Sequence, residues 1–358
     1  MILKDQNIMF FLRAFQHGGT ENVVLQLCEV FHPLVNKIIV VSADGFAKER
    51  LNELGIKHYC IPDIENKTPH IILSVCKQIK DIVRKERITV IHTHHRMAAF
   101  YVRALGLYKK CVYINTSHNT FTNNRVLTRY AYKKGHLIAC GEMVKKNLQE
   151  VFGLKDITVI HNAVKPFYDA IIPDEQLTEA KEEGKYLIGN IGRLSKQKGM
   201  EYYIQAIPTV KAKHPEAQFY IVGDGEDAEN LNELANTVNA PVVFMGYRTD
   251  VQNLMSQFDL IVLSSLWEGL PLTPIEAFSV GKTIVATKVD GTPEIVKHNE
   301  NGRLTEPGDP KELADEICWM IDHPEEKKEL EKNARKTFDE DFSFNTLAQA
   351  YIDFYRRV

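Results

Sequence analysis

KYLIGNIGRLSKQKGMEYYIQA, residues 185–206, decides how this chain folds. Tyr186 to Ile191 is a short apolar run with the length of a buried strand. The run stops at Gly192, and Gly199 closes a loop that carries Arg193, Lys196 and Lys198. From Met200 to His214 the apolar residues recur at helical spacing. Strand, basic glycine-bounded loop and helix, in that order, make one βα unit. In open parallel sheets such a loop lies where ligands bind, beyond the carboxyl ends of the strands.

The same alternation extends in both directions. Toward the C-terminus, apolar runs at 218–222, 242–244, 260–263 and 283–286 alternate with helical stretches at 227–237, 251–258 and 274–280. Toward the N-terminus, runs at 8–12, 37–42, 89–92, 112–115 and 137–139 alternate with helical patterns such as 21–31 and 71–84. This is the pattern of parallel sheets covered by helices on both faces. The chain of 358 residues suits two domains of about 150 residues each. The expected division is a doubly wound domain at 1–165, a polar linker with two prolines at 166–184, and a second doubly wound domain at 185–335. A helical tail at 336–358 ends in Tyr351, Phe354 and Tyr355, which should pack back on the first domain. Two such domains should face each other across a cleft, and functional residues should follow strands.

Composition excludes several classes. The formal charge of −3 gives no global affinity for polyanions, and little aromatic interleaving exists for nucleic-acid bases to stack on. The six cysteines are scattered without a C-x-x-C pair, as in a reducing compartment. MILKDQNIMFFL is too interrupted for a signal peptide, and no long apolar run spans a membrane. A cytoplasmic address is expected. The charge is uneven, however: Arg84 to Lys146 holds thirteen Lys/Arg against Glu86 and Glu142. Either these are solvated helix faces, or this half meets an anionic surface. Each Lys or Arg near anionic lipid contributes roughly 1 kcal/mol, enough together for reversible membrane attachment.

The strand-end rule selects the candidate residues. Gly18 and Gly19, in HGGTE, would let the backbone approach a ligand at a helix N-terminus, or simply form a turn capped by Thr20. His92 and His94 share one face of a strand, so metal binding competes there with a cleft-lining polar edge. His118 closes the next strand, where it can hydrogen-bond a hydroxyl or a developing charge. Arg193 and Lys198 stand beside a helix N-terminus, and charge and dipole both favour a diphosphate there. The P-loop spacing is absent. Gly223-Asp224-Gly225 reads as a tight turn, and the acidic triplet 339–341 as a solvated helix face. WEGLPLTPIEAF, 267–278, follows the run at 260–263 and holds Glu268 and Glu276. Thr273-Pro274-Ile275-Glu276 reads as a capping box with proline at the first helical position, which gives Glu276 a structural task. Glu268 has no such task, and Gly269 after it frees the amides of Gly269 and Leu270 to face an anion.

GRLSKQKG, IVGDGED, VVFMGYRTDV, EGLPLTPIE, GTPEIV and NGRL, together with HGGTE and the strand-end His118, resemble the motifs of retaining glycosyltransferases of family 4 in order and spacing. The resemblance covers nearly the whole chain and is densest from Gly192 to Pro307. It implies a GT-B fold and a nucleotide-sugar donor, UDP- or GDP-linked. Arg193 and Lys198 would hold the diphosphate, with Gly18 and Gly19 closing over it. Glu276 would bind the ribose hydroxyls, and Tyr247 and Arg248 would lie by the base. Glu268 would contact the transferred sugar, ringed by the amides of Gly269, Leu270, Leu272 and Thr273, and His118 would face sugar and acceptor. One departure is Asn162-Ala163-Val164-Lys165, where the family usually has Asn-Gly-Val-Asp.

The implied activity is transfer of a hexosyl or N-acetylhexosaminyl group, with retention, to a glycan or lipid-linked acceptor in cell-surface polysaccharide synthesis. The enzyme would sit on the inner face of a membrane. The leaving diphosphate is stabilised by cations and helix ends, so no metal or other cofactor is expected. Retaining glycosidases use carboxylates about 5 Å apart; no such pair is identifiable here, and the resemblance implies front-side attack instead. Two alternatives remain. A GT-B nucleotide-sugar epimerase would convert free donor without acceptor. A non-catalytic glycan- or nucleotide-binding partner would tolerate loss of Glu268 and Lys198.

Overall fold

The computed structural model describes residues 1–15, 19–45, 48–167 and 169–358. They divide into two units, Met1–Asn162 with Asn345–Val358, and Ala163–Phe344.

The first unit holds β1 (Asn7–Ala14), β2 (Lys37–Ala43), β3 (Lys57–Cys60), β4 (Val90–Thr93), β5 (Val112–Ser117), β6 (His136–Ala139) and β7 (Ile157–Val159). They form one parallel sheet in the order β3-β2-β1-β4-β5-β6-β7. The second unit holds β8 (Tyr186–Ile191), β9 (Ala217–Val222), β10 (Val242–Phe244), β11 (Leu260–Leu263), β12 (Ile284–Thr287) and β13 (Arg303–Thr305). Their sheet is also parallel, in the order β10-β9-β8-β11-β12-β13. Each sheet reverses its direction of growth once, between β1 and β4 and between β8 and β11. Each unit is therefore doubly wound, with its switch point at that pair.

The runs form strands because helices hide both faces of each sheet. The first six residues of β1 are buried, as are β11 and β12 throughout. In the second unit Met200, Tyr203, Ile204, Ile207 and Val210 of the helix Met200–Lys213 pack on Ile188, Phe219, Leu260 and Val262. The buried Tyr203 hydroxyl donates to the Ile188 carbonyl at 2.9 Å, so burying it leaves no orphan donor. In the first unit the helix Phe344–Arg357 buries Leu347, Tyr351, Phe354 and Tyr355, and the Tyr355 ring lies 4.3 Å from that of Phe31.

The segment expected as a linker is more ordered than its polarity suggests. It contains a helix, Glu175–Glu182, capped by Asp174, which accepts from the Leu177 amide. Asn253 accepts from the Ile172 amide at 2.8 Å and Gln257 from that of Asp174 at 2.9 Å, so the segment is sewn onto the second unit. The substituted Ala163 avoids positive φ, so the missing glycine is not required there. The Val164 amide next to it donates to the Phe342 carbonyl at 3.2 Å.

Candidate functional site

The second unit gathers Lys198, Glu268 and Glu276 at its switch point. The loop after β8 brings Arg193 and Lys198; the loop after β11 brings Glu268. Buried hydroxyls and an amide stake these loops to the strand ends. Asn190 in β8 donates to Ser264 Oγ at 2.9 Å, and that hydroxyl donates to the Lys198 carbonyl at 3.0 Å. Thr287, at the end of β12, donates to the Ser265 carbonyl at 2.6 Å. Two glycines are required by close backbone approach. Gly199 has φ +55, and a Cβ there would lie 2.3 Å from the Ser264 carbonyl oxygen. At Gly291 a Cβ would lie 2.1 Å from the Gly269 carbonyl oxygen, which accepts the Gly291 amide at 3.1 Å.

Lys198 and Glu268 form an ion pair, Nζ to Oε1 at 2.6 Å, with side chains only 17% and 7% exposed. Ser265 Oγ donates to the same oxygen at 2.7 Å, and Gln197 Nε2 reaches the other at 3.4 Å. The Glu268 amide donates to Asp290 Oδ2 at 2.8 Å. The carboxylate is thus held at both oxygens, and its backbone is held from a third loop. Asp290 itself sits at φ +38, an uncommon backbone state for a non-glycine residue. Gln197, Ser265 and Asp290 were not singled out from the sequence. The signal for Asp290 is its place in the loop just beyond the apolar run 283–286, three residues after the end of β12 at Thr287.

Glu276 differs from expectation. The helix begins at Leu272, after Pro271, and no side-chain cap is made. Thr273 and Pro274 lie inside the first turn, so the capping box is absent and its structural task for Glu276 disappears. Thr273 is buried against the loop, and Pro271 already fixes the entry into the helix. Among the described residues the Glu276 carboxylate makes no hydrogen bond. Burial pushes it up to about 7, and the positive charge of Lys198 pulls it back. One lysine therefore sits within reach of two carboxylates. Gly269, Leu270 and Thr273 are buried around them, with Leu272 partly exposed.

Arg193 is not gathered in. Its side chain is 72% exposed and pairs with Glu226 at 3.1 Å. Tyr247 is exposed. Arg248 binds Asp250 and Asp174 at 2.8 Å each, which fastens the segment before the second sheet and raises its guanidinium further above its ordinary range.

In the first unit Gly18 lies outside the described residues, and Gly19 opens the helix Gly19–Phe31. His118 follows β5, and its Nε2 lies 3.0 Å from His94 Nδ1. Burial lowers His118 to about 4, so it is neutral near pH 7. His92 is not a surface-lining residue: it is fully buried, with Nδ1 on the Tyr355 hydroxyl and Nε2 on that of Thr116, each at 2.8 Å. Both nitrogens are thereby used within the protein. Among the described residues no group of three or more His, Cys, Asp or Glu is placed to hold a metal.

Two doubly wound parallel sheets in separate units, with the charged cluster at a switch point, define an α/β two-domain protein of the GT-B kind. The family model for glycosyl transferases group 1 matches residues 173–337, and that for glycosyltransferase family 4 matches residues 17–166. The chain belongs to this glycosyltransferase family and is a transferase of glycosyl groups. An uncharacterized glycosyltransferase of Methanocaldococcus jannaschii is 24% identical over 89% of this chain and 88% of its own length. The N-acetyl-alpha-D-glucosaminyl L-malate synthase of Bacillus anthracis is 22% identical over 81% of this chain and 80% of its own length. Anabaena HepE, solved with UDP, superposes with a TM-score of 0.85 at 20% identity, over 99% of this chain and 100% of that one.

Proposed function

We propose that the chain transfers a hexosyl or N-acetylhexosaminyl group from a UDP- or GDP-linked sugar, with retention, to a glycan or lipid-linked acceptor in cell-surface polysaccharide synthesis. The Lys198–Glu268 pair beside Glu276 carries this reading. Breaking the sugar–phosphate bond places negative charge on the leaving diphosphate. Lys198, the exposed Arg193 and the amides at the start of the Leu272–Ser279 helix answer that charge, without a metal. Glu268 keeps one acceptor site, on Oε2, for a hydroxyl of the transferred sugar, and the Glu276 carboxylate is open to those of the ribose. The leaving phosphate oxygen takes the acceptor's proton. That HepE was solved with UDP and with UDP-glucose favours a uridine donor here.

The acceptor half of the reading rests on the first unit. Its helix Arg125–Tyr132 carries Val126, 85% exposed, and Tyr130 beside Arg125 and Arg129. Phe100, Leu127 and Tyr130 line a shallow apolar recess there, inside the basic stretch. Apolar side chains ringed by cations suit the inner face of an anionic membrane, or a lipid-linked acceptor in it.

Calorimetric titration of UDP and GDP, with EDTA present, tests the donor half. Binding of one nucleotide that survives EDTA and is lost in Lys198→Met is the expected result. Equal binding by the variant would remove the diphosphate role of Lys198.

A further inference from the structure

His94 and His118 share a single hydrogen bond, 3.0 Å from His94 Nδ1 to His118 Nε2, with the ring planes 21° from parallel. One proton lies between them. Burial holds both rings neutral near pH 7, so each carries one N–H. The remaining nitrogen of His94, Nε2, is sealed from solvent and has no hydrogen-bond partner among the described residues. A proton placed on that atom would be a buried orphan donor, a rare and costly state. A proton on Nδ1 is used. His94 therefore donates to His118 Nε2, and the proton of His118 sits on its own Nδ1. That atom has no partner among the described residues and is not sealed.

The His94 ring has little freedom to turn over. Its centroid lies 4.2 Å from that of His92 and 5.9 Å from that of Phe10, with both neighbouring rings tilted against it. His92 is bonded at both nitrogens, to Tyr355 and Thr116, and Thr116 reaches the Tyr351 hydroxyl at 3.3 Å. The C-terminal helix thus braces the array from behind.

We infer that His94 is a positioning residue: it fixes the tautomer of His118, so that His118 offers an Nδ1–H donor, and no base, to a carbohydrate hydroxyl. This rests on the glycosyl-transfer reading and on the place facing sugar and acceptor that the family resemblance implies for His118, and adds how that contact is set.

The test has a spectroscopic and a kinetic arm. Two-bond proton–nitrogen correlation of the full-length 15N-histidine protein reads the tautomer without substrate, and His118→Asn assigns the ring. The expected result is a protonated Nδ1 and a bare Nε2 on His118. In His94→Leu that preference should be lost while thermal unfolding stays cooperative. In turnover with a UDP-sugar, His118→Asn, whose amide nitrogen overlies Nδ1, should keep about tenfold more kcat/KM than His118→Gln, whose amide overlies Nε2. A protonated Nε2 in the wild type, or Gln outperforming Asn, overturns the inference. If Asn, Gln and Ala at 118 all match wild-type turnover, the substrate-contact reading fails instead. Should His94→Leu not fold, the wild-type spectrum and the Asn/Gln pair decide alone.

Discussion

Lys198 is the residue on which the site turns, because two carboxylates depend on its charge. Glu268 is paired with it directly, and Glu276 feels it through space. Glu268→Gln keeps the shape and removes the charge. We expect kcat to fall about 10²- to 10³-fold, the range for loss of one preorganised electrostatic group, with the nucleotide Kd changed little. Steady-state rates and calorimetry on one preparation read both. Glu276 has a different signature. Its folded pKa, raised to about 7, lies above the unfolded value, so the native state holds the proton longer. Its contribution favours folding below the unfolded pKa and is lost as pH rises through about 7. Glu276→Gln should therefore be more stable than wild type at pH 8 by about 1–3 kcal/mol, and equal to it near pH 4. Denaturant melts at the two pH values check this. Glu268 was legible in the sequence because nothing structural explained it. Glu276 was half legible, since the cap assigned to it does not form. Gln197, Ser265 and Asp290 were not legible, because their partnership with Glu268 depends on how three loops stack.

At the scale of elements, the central strands were legible because burial on both faces leaves unbroken apolar runs. The central β8 and β11 have the bounds read from the sequence, and so does β10, although it lies at the edge of its sheet. The edge strands β3, β7 and β13 were not: KHYC, ITV and RLT are short and partly polar. Edge strands need cover on fewer sides, so their pattern is weak. The sequence places the start of the Leu272–Ser279 helix late, at Pro274; its first position is Leu272, and Pro271 is the cap residue before it. Loop stacking makes its own prediction. Gly199→Ala would force a Cβ into the Ser264 carbonyl at φ +55. The expected cost is about 1–3 kcal/mol. Because Lys198 is the adjacent residue, nucleotide affinity should weaken as well. Gly291→Ala should act likewise through the Gly269 carbonyl. Parallel melting and calorimetry would show both losses; full stability with full affinity would mean the loops do not need this approach.

At the scale of the molecule, the restart of β–α alternation after residue 184 makes two units readable from sequence, and the aromatic tail is expected against the first. The boundary was less readable. Polar composition makes residues 166–184 read as a tether, but the backbone amides of Ile172 and Asp174 donate to Asn253 and Gln257, and the Asp174 carboxylate accepts from Arg248. The concentration of charge between Arg84 and Lys146 belongs to this scale too. Sedimentation with vesicles containing anionic lipid should capture the protein at low salt and release it at high salt. Arg125→Glu with Arg129→Glu should reduce capture, and Val126→Asp should reduce what salt does not. No capture at low salt would confine the acceptor to soluble glycans.

The central claim is donor-sugar transfer with retention. It is met most directly by incubating the protein with a panel of UDP- and GDP-sugars, with and without a glycan acceptor, and following anomeric protons by NMR as nucleotide is released. The account predicts that one donor is consumed only when acceptor is present, and that the new linkage keeps the donor's anomeric configuration. An inverted linkage, or conversion of free donor into its epimer without acceptor, would contradict it.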